Sequence, residues 1–527
     1  MFDIFRQIYF NSIFYDKKIS KFYNKSLEYK PSAYLLTSIL KFQTKKLNID
    51  DFSLDNVWIN QELDKKHLNK LNNFFWLFSV DLKSSSTSVQ SVIKNWIEIN
   101  FKYNSKNWNF DTTSKRIISW LSNYRLTYEN SNEQYKIDFN KIIHKQTSHL
   151  INQIDNIHSY ENKLSAIAAI ILVGLCYKDE KNFTIKGLNN LKKIIKNSLD
   201  SFGFPKSRSI KYSILFLKYL IIIREWFKES QTQIPEFINE NIFQLGQSYT
   251  FFNNENNLDP LFNGNNISNN SEFDLYLNRL GYSFKNDNYE FSNYINLKNK
   301  KINLIMDVGS SPNRKFSNDY QAGALSFEFI SNGKKILTNG GYFNKNNYKL
   351  SNLSRSSAVH NVLTIDDNSS CKFKKKSNFK FEIKEGLTVI KKKVTYEKNY
   401  WKISSAHNGY LKKYNALYER DIEFYPKENK LIGLEKIFGK KKLPNLKFDV
   451  RFHLEPSAKI MKTQDNKSIL VELDKEGWKF TCKNFEIDID NGLYFGKKNN
   501  YTENQNIYIS GITNSQNNII KWEFIKI

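Results

Sequence analysis

The feature that most constrains this chain is a change of hydrophobic period part-way along it. In the first half apolar residues recur at helical spacing. Leu164-Ser-Ala-Ile-Ala-Ala-Ile-Ile-Leu-Val-Gly-Leu175 is small and apolar all round, as in a helix buried among other helices. Residues 210–227 are similarly long and apolar, with Pro205 and Ser207 placed as helix-start punctuation. Ser114-Lys-Arg-Ile-Ile-Ser-Trp-Leu121 puts Ile117, Ile118 and Leu121 on one face with Trp120 beside them. The short connection from Tyr177 to Lys181 favours antiparallel helix pairs, so an α/α array is predicted. An Asn-dominated stretch, 253–270, follows, and beyond it short runs alternate with period two. Segments 301–307, 324–330, 334–338, 362–366, 387–391, 420–424, 447–453 and 483–490 read as strands ending in Gly, Asn or Asp turns. Many strands with short turns predict an antiparallel β-sandwich. At 527 residues the chain exceeds a single core, and it divides into a helical domain, 1–275, and a β domain, 276–527.

Within this frame a few strings are specific. Tyr320-Gln-Ala-Gly-Ala-Leu-Ser-Phe-Glu-Phe329 and Arg355-Ser-Ser-Ala-Val-His-Asn-Val-Leu-Thr-Ile-Asp366 bracket Leu337-Thr-Asn-Gly-Gly-Tyr342. Ahead of them come Trp108 with Ser114-Lys-Arg-Ile-Ile-Ser-Trp120, then Asp259-Pro-Leu-Phe-Asn-Gly264 and Ser292-Asn-Tyr-Ile-Asn-Leu297. In this order the strings resemble those of the heparinase II/III-like polysaccharide lyases, over most of the chain. The resemblance implies an incomplete (α/α) toroid followed by an antiparallel β-sandwich, and an acidic polysaccharide as substrate.

A polysaccharide lyase cleaves next to a uronic acid by β-elimination. The sugar carboxylate must be neutralised, a base must take the C5 proton, and an acid must protonate the leaving oxygen. By the resemblance, Asn162 would neutralise the carboxylate, with Lys163 where relatives often carry a histidine. An Asn opening a helix is equally an ordinary cap. Tyr212, in Ser209-Ile-Lys-Tyr212, falls at the family's base, although it also opens an apolar helix and suits packing. Lys206 and Arg208 ahead of it are further anion contacts. In the β domain the resemblance places Asp319 at the catalytic histidine, Tyr348 and His360 as acid or base candidates, and Arg355 as a structural or substrate contact. Many members hold Zn²⁺ with His, Asp and His. Here Gln321 and Asn339 stand at two of those positions and only His360 remains, so no zinc is expected, because Zn²⁺ sites use His, Cys and carboxylates. A hydrogen-bonded cluster of Gln321, Asn339 and His360 is expected in its place, with Asp319 and Gln321 also expected to contact substrate. The motif's Asp is Gly323, as in bacterial branches reading "AGALSFE". The same substitutions fit a non-catalytic descendant that binds glycan in envelope assembly. His407 and His453 read as scaffold.

The charge balance is 79 Lys+Arg against 53 Asp+Glu, a net +26 that attracts polyanions. Lysine and asparagine abundance from AT-rich coding would give the same surplus. The clusters 374–376, 391–393 and 440–442 read as solvated turns or strand ends. No nucleic-acid-binding signature accompanies the charge. Three cysteines without paired spacing imply no disulfide framework. The first ten residues do not read as a signal peptide and no run reaches the ~20 apolar residues of a membrane helix. The resemblance points to cell-envelope polysaccharide, while the lack of a signal allows a cytoplasmic location.

Overall fold

The computed structural model describes residues 2–20, 26–37, 58, 64–80, 85–177, 181–253, 258–268, 270–344, 347–377, 380–439, 441–514 and 517–527. The connection after Tyr177 and Lys440 lie outside them. Contacts group the chain into two units. One comprises Met1–Asn197, Leu215–Phe243 and Glu272–Ser283; the other comprises Ser198–Ile214, Gln244–Ser271 and Phe284–Ile527. The change from helices to strands falls between helix Ser271–Arg279 and strand Glu290–Phe291.

The first unit is helical. Helix Tyr160–Cys176 is buried along nearly its whole length, as its apolar composition requires. Helix Phe110–Ser122 packs against it, and begins at Asn109, whose side chain accepts from Thr112 N (3.0 Å). Helix Glu133–Gln153 begins in the same way at Asn132, with Glu133 in its first turn where the helix dipole favours an acid. The motif arginine of this half, Arg116, is fully buried without a carboxylate among the described ion pairs. It lies 4.0 Å from the Trp96 ring centroid and donates to the carbonyls of Asn72 and Asn107 and to Gln146 Oε1. Burial drives its pKa well below the usual guanidinium value. Arg116 is therefore a bracket for loops 72–74 and 107–109, and Trp108, donating to Asn100 O, completes it.

The second unit holds the sheets, all of whose ladders are antiparallel. A five-stranded sheet runs in order Glu290–Phe291, Tyr294–Lys298, Ile302–Asp307, Phe327–Ser331, Lys334–Leu337. An eight-stranded sheet is ordered Lys459–Lys462, Ser468–Leu473, Glu476–Cys482, Asn517–Lys526, Lys430–Phe438, Leu417–Tyr425, Tyr400–His407, Val389–Glu397. A four-stranded sheet is ordered Ile487–Tyr494, Thr502–Ile512, Lys447–His453, Leu363–Ile365, and Lys372–Ser377 pairs with Lys380–Glu385. One core takes Leu304 and Phe329 from the first sheet, Ile422, Trp478 and Phe524 from the second, and Val450 and Ile507 from the third. An ion pair sits inside the fold: Arg420 and Glu435 are fully buried, with Tyr418 and Trp522 donating to the carboxylate and Arg420 donating to the carbonyls of Leu325 and Asn361.

Two strands differ from their sequence reading. The 324–330 run becomes a strand only at Phe327, because Leu325 has φ +67° and Ser326 N closes a turn on Gly323 O. The 483–490 run becomes the strand Ile487–Tyr494. Lysines 374–376 and 391–393 lie within strands, not at turns, all exposed; 391–393 sit on the edge strand Val389–Glu397, where exposed charge discourages edge-to-edge pairing. The three cysteines are free and buried.

Candidate functional site

The candidate site is built on the second unit, from the first turn of helix Ile210–Glu229 and the loop between strands Ile302–Asp307 and Phe327–Ser331. Its centre is Asp319, only 6% exposed. The carboxylate accepts three hydrogen bonds: Tyr212 OH on Oδ2 (2.5 Å), and Tyr342 OH (2.9 Å) and Asn318 Nδ2 (2.6 Å) on Oδ1. Tyr342 receives in turn a hydrogen bond from Arg355 Nη2 (2.5 Å). Arg355 is fully buried between the rings of Tyr342 and Phe381 and also donates to Asn318 O and Ser351 O. A chain Tyr212–Asp319–Tyr342–Arg355 thus runs from a half-buried phenol to a buried guanidinium. Burial drives the Tyr342 hydroxyl well above its ordinary pKa, so it stays a donor. Tyr342 is the member of this chain that sequence reading missed, since nothing in Thr-Asn-Gly-Gly-Tyr342 distinguishes it from a packing aromatic.

The same unit holds a cavity of about 440 Å³, lined by Lys206, Arg208, Lys392, Asp200, Asn293 and Phe316 among others, and by none of the four residues of this chain. That volume suits a sugar-sized ligand. Arg208, at φ +63°, donates to Asp307 Oδ1 (2.7 Å), Ser310 O (3.0 Å) and Asn293 O (3.3 Å). Burial disfavours its charge, but Asp307 outweighs that and holds the guanidinium protonated. Gly309 lies flat against it: a Cβ there would stand 1.6 Å from Nη1. Asp307 is fixed from the other side by Asn263 Nδ2 (3.0 Å), which explains the Asp259–Gly264 motif. Lys206 is half-buried at the cavity, and Lys392 is paired with Glu290.

Residues 286–523 match the family model described as "Heparinase II/III-like, C-terminal". The chain carries a heparinase II/III-like domain. Solved structures share the fold over most of the chain. A heparinase III crystal structure superposes with TM-score 0.69 at 15% identity, covering 96% of this chain and 85% of that one. The heparan sulfate lyase HepC from Pedobacter heparinus gives TM-score 0.68 at 12% identity over 89% and 78%. No curated protein sequence matches the chain. The arrangement of a helical half followed by antiparallel sheets is that of these structures.

The heparinase II/III-like motif residues divide into two sets. Glu328 and Asn361 are brackets. Glu328 pairs with Lys335 (2.8 Å) and accepts from Leu261 N, Thr338 and Asn339 N. Asn361 donates to the carbonyls of Phe327 and Thr338 and accepts from His453 N. The positions that the resemblance assigns to zinc in many members are also committed elsewhere. Gln321 accepts from Gly264 N (3.0 Å) and donates to Gly341 O (2.8 Å) and Ser354 O (2.5 Å). Asn339 Oδ1 accepts from Asn361 N (3.1 Å). His360 is 1% exposed, both ring nitrogens lack a partner, and burial with His453 alongside lowers its pKa to about 3. The expected hydrogen-bonded cluster of these three therefore does not form: the two amides turn to backbone groups, and His360 packs as a neutral ring against Gly323, where a Cβ would stand 3.0 Å from Cγ. With both amide oxygens engaged, the donor set does not suit a Zn²⁺ ion, and among the described residues no cluster of three His, Cys, Asp or Glu could hold a metal.

The remaining expected residues do not join the chain of hydrogen bonds at Asp319. Tyr348 is 54% exposed, its ring stacked on Phe381 at 5.7 Å with Lys375 Nζ 5.3 Å from its centroid. Gln321 and Arg355, expected to contact substrate, are buried at 1% and 0% exposure. Asn162 and Lys163 lie half-buried in the first turn of helix Tyr160–Cys176, in the helical unit; burial lowers the Lys163 pKa. His407 and His453 are buried, and burial lowers both to about 4.

Proposed function

We propose that the chain is a polysaccharide lyase that cleaves an acidic, uronate-containing polysaccharide of the cell envelope by β-elimination, with Tyr212 and Asp319 as its proton-handling pair. The observation that carries this reading is the 2.5 Å hydrogen bond from a half-buried tyrosine to a carboxylate at the position of the family's catalytic histidine. Tyr212 presents the reacting oxygen. As it takes the C5 proton, its own proton passes to Asp319; the C5–H electron pair forms the C4–C5 double bond as the C4–O bond breaks. The leaving oxygen then takes a proton from Tyr212, and Asp319 returns one to the phenol. The two proton movements are concerted, so that no free phenolate has to form before the C5 proton is taken. Arg355, acting through Tyr342, positions Asp319. Lys206, at the cavity, is the candidate to supply positive charge for the uronate, since Asp307 already balances the Arg208 guanidinium. The reading assigns no step to a metal ion or cofactor, nor to His360.

The test is ultraviolet absorbance on incubation with a panel of uronate polysaccharides, since elimination creates an absorbing unsaturated uronate. Signal that disappears in Tyr212→Phe supports the reading. Silence across the panel, with saturable glycan binding retained, would replace it by the glycan-binding alternative, which the three hydrogen bonds already held by Asp319 favour.

A further inference from the structure

The helical unit begins with a feature that the proposed chemistry does not use. Helices Phe2–Phe10 and Ile13–Ile19 are joined by a tight turn at Ser12, whose side chain accepts from Tyr15 N (3.2 Å). One face of this hairpin is anchored. Phe10, Tyr15 and Ile19 are buried, Tyr15 OH meets His149 Nδ1 at 2.6 Å, Arg6 donates to Gln153, and Asp16 pairs with Lys145. The other face is apolar and open. Phe5 is 67% exposed, Ile8 62%, Tyr9 45%, Ile13 73% and Phe14 85%. Phe5, Ile8 and Tyr9 stand at i, i+3 and i+4, one stripe of a helix. Twenty-one large hydrophobic side chains are exposed among the described residues, and five of them fall within these ten positions. Scattered exposed apolar residues are normal; such a concentration marks an interaction surface.

Charge decides what fits it. Lys17 and Lys18 are exposed one turn after Ile13 and Phe14, on the same side. The described acid of the hairpin, Asp16, is turned to Lys145. The open face is therefore an apolar and aromatic patch edged by lysines, on a chain of net charge +26. A second copy laid on this patch would set lysine edge against lysine edge, and the one carboxylate among the hairpin's described side chains, Asp16, is already paired with Lys145. An anionic bilayer answers both features: rings and aliphatic tips enter the acyl boundary while the ammonium groups stay at the phosphates. No described helix is long and apolar enough to cross a membrane, so the contact is interfacial. We propose that this hairpin docks the protein on an anionic lipid surface.

The test is co-sedimentation of the full chain with vesicles of phosphatidylcholine alone or enriched in phosphatidylglycerol. Binding is expected only to the anionic vesicles and is expected to weaken with salt. Ile8→Gln with Phe14→Gln should weaken it about tenfold or more, and Lys17→Gln with Lys18→Gln by on the order of tenfold. All four positions are exposed, so thermal unfolding should be unchanged, which shows that the variants fold. Vesicle binding that is absent, or indifferent to both pairs, overturns the proposal. So does a concentration-dependent dimer that Ile8→Gln with Phe14→Gln dissociates, which assigns the face to a second copy. Elimination on soluble polysaccharide, read in parallel, keeps this outcome separate from that of the lyase reading.

Discussion

Replacing Asp319 by Asn tests the centre of the site with the smallest change of shape. The carboxylate accepts on both oxygens, Tyr342 and Asn318 on one and Tyr212 on the other. An amide can accept on one side only. If its oxygen keeps Tyr342 and Asn318, its NH₂ group faces Tyr212, and the phenol must turn its proton away and become an acceptor. Hydrogen bonds to a charged acceptor contribute about 1.5–3 kcal/mol against about 1 for neutral ones. With one bond reversed and two weakened, the fold should lose about 1–3 kcal/mol. Activity should fall much further. Removal of the group that takes the phenolic proton should cost a factor of about 10² to 10⁴ in kcat/KM, or about 3–5 kcal/mol of transition-state stabilisation. Initial rates of unsaturated-uronate formation, together with thermal unfolding of the same preparation, separate the two effects. A folded Asp319→Asn protein with kcat/KM within about threefold of the parent would refute the relay and leave Asp319 as scaffold.

Other expectations follow from the same structure. Arg208→Met leaves Asp307 buried without its cation and should destabilise the β unit by about 3–5 kcal/mol, while Arg208→Met with Asp307→Leu should recover part of that; a double-mutant cycle in urea measures the coupling. Gly323→Ala should cost about 1–3 kcal/mol, because its Cβ would press on the His360 ring at 3.0 Å. His360, His407 and His453 are neutral in the fold, with pKa values lowered by burial to about 3, 4 and 4. Below pH 6.5 only the unfolded chain takes up their protons, so stability is full above that value and falls as pH drops towards 4, by about 2 kcal/mol for each histidine at pH 5. Urea unfolding at pH 7 and pH 5 should show this, and His360→Gln should reduce the proton uptake on unfolding at pH 5 by about one.

How much of this was legible in the sequence depends on range. Local period settled the elements: the apolar run 164–175 lies inside helix Tyr160–Cys176, and the 447–453 alternation is the strand Lys447–His453. It failed where a single backbone angle intervened, as at Leu325. Motif resemblance marked Asp319, Gln321, Asn339, Arg355 and His360 as important but not what each does, because a conserved-looking polar residue can serve catalysis or satisfy buried backbone groups equally well.

Period, turn residues and motif order, which act between near neighbours, were enough to specify a helical half, an antiparallel sheet half and the family. Only the tertiary structure could turn Gln321 and Asn339 inward to backbone groups, leave His360 a neutral packed ring, and bring Tyr212, Asp319, Tyr342 and Arg355 into one chain. The longest of those contacts, Tyr212 to Asp319, spans 107 residues of sequence. Hydrogen bonding needs atoms within about 3 Å, and no local pattern encodes which distant groups the packed core will bring that close.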